Sequence, residues 1–159
     1  MDDKGNVCLI KVFVSDRGPV YEELPAIHKG EFTYELLSSP GLALNLAKGD
    51  LIDIKDTNSP AVVVKRGGNF CINIYAGGVA RGKIEKLEAE VGELLGGALD
   101  GVYKGNLAFS VPSKNDINKI ESVFNGFKEE TGIDWYYSNI YKNFNDLDDD
   151  TLLDWWIDD

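Results

Sequence analysis

Residues 69–112 read NFCINIYAGGVARGKIEKLEAEVGELLGGALDGVYKGNLAFSVP, and their rhythm decides the fold. Phe70, Ile72 and Ile74 alternate with period two, as a strand with one buried face requires. From Arg81 the period changes. Ile84, Leu87, Val91, Leu94 and Leu95 recur at helical spacing, and Gly96-Gly97 supplies the stop. ALDGVY and LAFSV are then two strands joined by Lys104-Gly105-Asn106. Reading on, Pro112-Ser113 opens a second helix, with Ser113 expected as N-cap and Asp116 near the positive end. Ile117, Ile120, Phe124 and Phe127 form its apolar stripe, Thr131-Gly132 closes it, and IDWYYSNIY follows as an aromatic strand.

The order from Asn69 to Tyr141 is β-α-β-β-α-β, which predicts a ferredoxin-like unit with two helices on one face of a four-stranded antiparallel sheet. Upstream, VCLIKVFV (residues 7–14), VYEELPAI, EFTYELL, LIDI and AVVVKR read as strands. VYEELPAI and EFTYELL suggest a hairpin, and SSPGLALNLAKGD a loop. The expected class is α+β, with a β-rich N-terminal part over residues 1–68, the ferredoxin-like sandwich over 69–141, and an acidic C-terminal helix over 142–159.

YELLSSPGLALNLAKGDLIDI, LAFSVPSKNDINKIESVF and GIDWYYSNIY together resemble a bacterial family known as domain of unknown function 4265. In that family a tyrosine and leucine strand runs into a small-residue loop ending in Gly-Asp, here Gly49-Asp50, and a Val-Pro junction leads into a helix, here Val111-Pro112. The resemblance spans Val7 to Tyr141 and implies no catalytic residues. The tail lies outside it.

The chain has 159 residues, 43% of them hydrophobic, enough for one domain or two small lobes sharing a core. Cys8 and Cys71 lie in separate apolar runs and read as reduced thiols. The N-terminus lacks the basic and apolar regions of a signal peptide, and no apolar run approaches the roughly 20 residues that span a bilayer. A cytoplasmic protein is expected. The 27 acids against 16 bases give a net charge of −11. This balance opposes nucleic acid and anionic membranes as partners, since phosphate affinity comes from lysine and arginine.

No catalytic set emerges, and an enzyme is not expected. Gly77 to Lys83 fits G-x-x-x-x-G-K between a strand and a helix, but Ile84 replaces the hydroxyl residue that would hold Mg²⁺ and belongs to the apolar stripe. His28, the single histidine, sits beside a turn. Glu22-Glu23, Glu129-Glu130 and Asp148-Asp149-Asp150 read as solvated charge. DLDDDTLLD lacks the central glycine of a calcium loop, so neither a metal nor a cofactor is expected. Trp135, Tyr137 and Tyr141 share a face that suits core packing better than base stacking.

The tail, NDLDDDTLLDWWIDD, combines carboxylates with two tryptophans. Asp146, Asp148, Asp149 and Asp150 are expected in the first turn of a helix, where the dipole favours negative charge. Leu152, Trp155 and Trp156 would dock on the domain, while Asp154 and Asp158 extend the acidic face. These eight positions other than Leu152 are the expected partner-binding residues, since aromatic anchors ringed by charge suit interface hot spots. The function expected from this pattern is an immunity protein that neutralises a basic toxin, a nuclease of an interbacterial competition system such as contact-dependent growth inhibition. The alternative is a small-molecule-binding regulatory domain.

Overall fold

In the computed structural model, which describes residues 7–17, 20–143 and 148–157, two antiparallel sheets carry the chain. The first is a meander in which strands follow sequence order: β1 (Val7–Phe13), β2 (Tyr21–His28), β3 (Thr33–Leu36), β4 (Leu51–Asp53) and β5 (Val62–Lys65). Antiparallel neighbours need only short connections, and residues 29–32 between β2 and β3 are one such connection. Its inner face buries Ile10, Val12, Leu24, Ala26, Leu36 and Ile52, and Ala43 and Leu46 of the long β3–β4 connection pack into the same cluster.

The second sheet contains β6 (Asn69–Tyr75), β7 (Ala98–Tyr103), β8 (Asn106–Pro112) and β9 (Trp135–Tyr137), in the order β7-β8-β6-β9 with all neighbours antiparallel. Two helices, α1 (Arg81–Glu90) and α2 (Ile117–Thr131), cover one face. Leu87 from the first, Val91 immediately after it, and Ile120, Phe124 and Phe127 from the second meet Phe70, Ile72, Ile74, Leu107, Phe109 and Val111. Strand alternation turns Cys71, Asn73, Ala108 and Ser110 to the opposite face, and these too are buried. What covers them is the loop 38–47: the Asn73 side-chain amide donates to the Pro40 carbonyl (3.0 Å), and the Asn45 N–H donates to the Ser138 carbonyl (2.8 Å). The order of layers is therefore helices, second sheet, loop, first sheet.

Three sequence expectations need correction. The N-cap of α2 is Asp116, whose carboxylate accepts from the Asn118 N–H at 2.8 Å, and not Ser113; Asx residues cap the amide two positions on, and Asp116 stands immediately before the first helical residue. The first helix ends at Glu90 and passes into a π turn over Val91–Leu95, closed by left-handed Gly96. That wider turn buries Val91 and Leu95 but turns Leu94 outward. Finally, the described tail residues 148–157 contain no helix. Leu152 instead bridges Tyr141, with the Lys142 N–H donating to the Thr151 carbonyl (2.8 Å) and the Leu153 N–H to the Ile140 carbonyl (2.7 Å). An extended segment satisfies those backbone groups against a neighbour and leaves no run for helical bonds. No helix among the described residues is long and apolar enough to cross a membrane.

Candidate partner-binding surfaces

The tail doubles back along residues 140–142 and then makes a turn in which the Ile157 N–H donates to the Asp154 carbonyl (3.0 Å). This brings both tryptophans onto Phe70, with ring centroids at 5.3 Å for Trp155 and 5.6 Å for Trp156. The two indoles meet each other edge-on, 5.6 Å apart. Both are partly buried against the helix-side core, and the Trp155 indole N–H donates to the Asn139 carbonyl at 3.0 Å. Of the expected acids, Asp148, Asp150 and Asp154 are exposed. Asp149 accepts from the Thr151 N–H two positions on (3.0 Å), and Thr151 holds its carboxyl below the ordinary range. Asp146 and Asp158 lie outside the described residues. Leu152, expected on the docked side, is 54% exposed, because the extended pairing points it away from the rings.

Arg66 links this tail to the first sheet. Its guanidinium carbon lies 5.4 Å from the centre of the Trp155 ring, and its nitrogens donate to the backbone carbonyl (2.8 Å) and side-chain oxygen (2.6 Å) of Asn45. Beneath it is Asp50, fully buried, at 3.4 Å. Asp50 also accepts from the N–H groups of Ala47 (3.0 Å) and Gly67 (2.9 Å). Burial pushes its carboxyl from 3.8 up to about 6, opposed by the Gly67 and Ala47 amides and the Arg66 charge. The Gly49-Asp50 pair thus has a structural role. Gly67 packs directly on Gly49: a Cβ there would fall 2.5 Å from the Gly49 Cα.

A second surface is absent from the sequence reading. A cleft of about 540 Å³ opens between β2, the loop 38–42 and the β7–β8 hairpin. Its walls carry Tyr21, Glu22, Glu23, Asp100, Tyr103 and Asn106, and no lysine or arginine lines it. Glu22 caps the loop, accepting from the N–H groups of Gly41 (2.8 Å), Leu42 (3.0 Å) and Ala43 (2.9 Å). At the floor, the Lys48 N–H donates to Ser39 Oγ (3.0 Å), Ser39 and Ser110 share a hydroxyl bond (2.6 Å), and Ser110 Oγ donates to Asp100. Asp100 also accepts from the Ser39 N–H at 2.8 Å. This chain fastens the loop to the second sheet. Its members stand 61 and 71 residues apart, so no local motif signals them.

Other sequence candidates have structural places. Lys83 of the glycine loop pairs with Glu130 at 3.3 Å, tying α1 to α2, and Ile84 packs on the core. Cys71 is fully buried, and burial lifts its thiol to about 12, so it stays protonated at neutral pH. His28 is exposed at the end of β2, with its ring 5.1 Å from Tyr34. Trp135, Tyr137 and Tyr141 all pack against the helix-side core.

A family model described as Domain of unknown function (DUF4265) matches residues 22–135. The chain belongs to that family. The matched span runs from the Glu22 cap to the start of β9, so it contains the Gly49-Asp50 pair and nearly all of the cleft but stops short of the tail. The fold is shared with a crystal structure of a hypothetical protein from Neisseria gonorrhoeae, at 16% identity and a TM-score of 0.57, over 82% of this chain and 91% of that one. At that identity the likeness concerns the fold alone. No curated protein matches the chain.

Proposed function

We propose that this protein binds and neutralises a basic protein in the cytoplasm, as an immunity protein against a toxin domain, a nuclease, of a bacterial competition system. The observation that carries the reading is the pair of tryptophans seated on Phe70 and Arg66, with exposed Asp148, Asp150 and Asp154 around them. Acids fixed on an anchored segment present a standing negative potential, which raises association rates with a cationic partner by roughly 10–10³. Partners carrying phosphate, whether nucleic acid or membrane, are disfavoured by the same field. The residues we assign to contact are Asp148, Asp149, Asp150, Asp154, Trp155 and Trp156, with Asp146 and Asp158 beside them in sequence. We also read the β6–β9 half as a ferredoxin-like unit, supported by its strand order and by both helices lying on one face.

Coexpression with a basic nuclease toxin domain, sought first in the neighbouring genes, tests this. Protection of the cell, with one-to-one binding that slows as salt is raised from about 0.05 to 0.5 M, is the expected result, since the screening length falls with ionic strength. Absence of binding overturns it. A second reading, a small-molecule-binding regulatory domain, is favoured by the cleft of about 540 Å³, within the size range of ligand sites. A metabolite that raises the melting temperature, without any protein partner, would replace the first reading by the second.

A further inference from the structure

We infer that the cleft beside β7 receives an extended basic segment of a protein partner, added as a strand along the free edge of β7 with a lysine or arginine side chain entering between Tyr21 and Tyr103. This rests on the partner reading above and deepens it, because it names a contact site that reading does not use.

The edge comes first. β7 is terminal in its sheet, and among the described residues no strand pairs with its outer side. Every second residue of such a strand directs its N–H and C=O away from the sheet, which is a template for another chain. Natural edges are commonly blunted by lysine or proline within the strand. The β7 sequence ALDGVY has neither, and Val102 and Tyr103 stand 62% and 53% exposed. A bulge between Leu99 and Gly101 does interrupt the ladder on the β8 side. Such bulges re-aim side chains. Here Asp100 faces the loop and takes its hydrogen bonds from Ser39 and Ser110.

Charge then selects the occupant. Glu22, Glu23 and Asp100 line the cleft without a lysine or arginine among the lining residues. The hydrogen bonds that Glu22 and Asp100 accept from the loop amides and Ser110 fix both carboxylates in place. Tyr21 and Tyr103 flank the opening, and aromatic faces attract cations. Lys11, the cross-strand neighbour of Glu23, and Lys104 lie 5.9 Å and 5.3 Å from these two ring centres, outside the cleft lining, so an incoming cation displaces two mobile surface ammonium groups from the rings. An added strand directs alternate side chains to the same face of the sheet as Tyr103 and Asn106, that is, into the cleft. A second copy of this chain would be the other natural occupant of a free edge. With −11 on each copy, self-association is opposed and a cationic segment favoured.

The test is titration of the isotope-labelled full chain with the peptide acetyl-Val-Arg-Val-Arg-Val-Arg-amide and with its glutamate counterpart, followed by amide NMR shifts. The arginine peptide is expected to shift Gly101 to Tyr103 together with Glu22 and Glu23, and the glutamate peptide to shift nothing. The double variant Glu23→Gln/Tyr103→Ala should weaken the arginine peptide about tenfold, a change of about 1.4 kcal/mol. Both side chains are exposed, so the remaining spectrum should superimpose; Glu22 and Asp100 are left intact because they hold the loop. Shifts confined to residues 148–157, equal shifts with the glutamate peptide, no shifts with either peptide, or dimerisation through β7 would overturn the inference. A basic toxin domain that binds the double variant undiminished removes the cleft and spares the immunity reading. Arginine peptide in the cleft, with no basic protein neutralised, does the reverse.

Discussion

Replacing Trp155 by alanine removes the ring that joins the tail to both sheets, and its cost follows from the contacts. A tryptophan side chain buries about 150–250 Å² when enclosed; for a partly buried ring roughly 130 Å² is reasonable, worth about 3 kcal/mol at ~25 cal/mol per Å². The tilted contact with Phe70, the edge-on contact with Trp156 and the Arg66 guanidinium add about 1–2 kcal/mol. The indole hydrogen bond to the Asn139 carbonyl adds about 1 kcal/mol. Against this, a released tail regains about 1–2 kcal/mol of conformational freedom for each residue set loose, so two or three freed residues offset nearly half the loss. The net expectation is a destabilisation of about 2–3 kcal/mol, or roughly 5–10 °C in melting temperature for a domain of this size. Urea unfolding followed by far-UV circular dichroism measures it, because Trp135 and Trp156 would confuse a fluorescence signal. Trp155→Phe separates the parts: it keeps an aromatic face and loses the N–H, and should cost about 1 kcal/mol. If the alanine variant lost less than about 0.5 kcal/mol, the tail would not be anchored, and the proposal that it presents a fixed acidic face would fall with it.

Gly67→Ala should lower stability by at least about 3 kcal/mol, since its Cβ would meet the Gly49 backbone rather than a side chain that can swing aside; a near-neutral result in thermal unfolding would contradict the packing of the two glycines. Asp50 gives a pH signature. Its folded value of about 6 lies above the ordinary 3.8, so between those limits the folded state holds a proton that the unfolded state has lost. The contribution of this group therefore rises as pH falls from about 7 to 4, by about 3 kcal/mol at most, and is lost as pH rises through 6. Measured as the stability difference between the wild type and Asp50→Asn, a flat or opposite trend would show that Asp50 stays ionised throughout. Changing Asp148, Asp150 and Asp154 together to asparagine should slow association with a basic partner about tenfold at low salt and leave melting unchanged or slightly raised; unaltered stopped-flow rates would take the tail out of the recognition step.

The second sheet was legible because its signals are local. Phe70, Ile72 and Ile74 alternate within one strand, and Leu87, Val91, Ile120, Phe124 and Phe127 recur within single helices, so a window of a dozen residues contains the whole pattern. The hairpin of β2 and β3 was legible for the same reason. Propensity also pointed to helix in the tail, through acids preceding Leu152 and Trp155, yet pairing with residues 140–142 overrode it. Ten residues with two aromatic anchors gain more from docking those rings than from a short helix, whose nucleation is costly. The cap of α2 was misplaced by three positions because Ser113 and Asp116 both suit an N-cap, and only the backbone path chooses between them. The cleft was wholly illegible. Glu22, Ser39, Asp100 and Ser110 each look like ordinary surface residues until the fold brings them within hydrogen-bonding distance of one loop.

The placement of bases explains how a net charge of −11 becomes directional rather than diffuse. Lys83 and Lys86 both converge on Glu130 (3.3 and 2.5 Å), Lys128 reaches Asp134 (2.8 Å), and Arg81 approaches Glu85 (3.8 Å). Much of the positive charge in the second half is therefore engaged on the helix layer, where exposed pairs of this kind contribute little to stability. Arg66 is engaged with buried Asp50 and with an aromatic ring. The cleft lies on the other side of the second sheet and has no base in its lining; the last nineteen residues contain a single one, Lys142, against seven aspartates. A chain that needed acidity only for solubility would gain as much from acids spread evenly. Engaging cations on the helices leaves two acid-rich regions, one anchored by tryptophans and one whose lining has no base, although Lys11 and Lys104 sit on its flanking tyrosines; association with a cationic protein depends on such local potential rather than on the total.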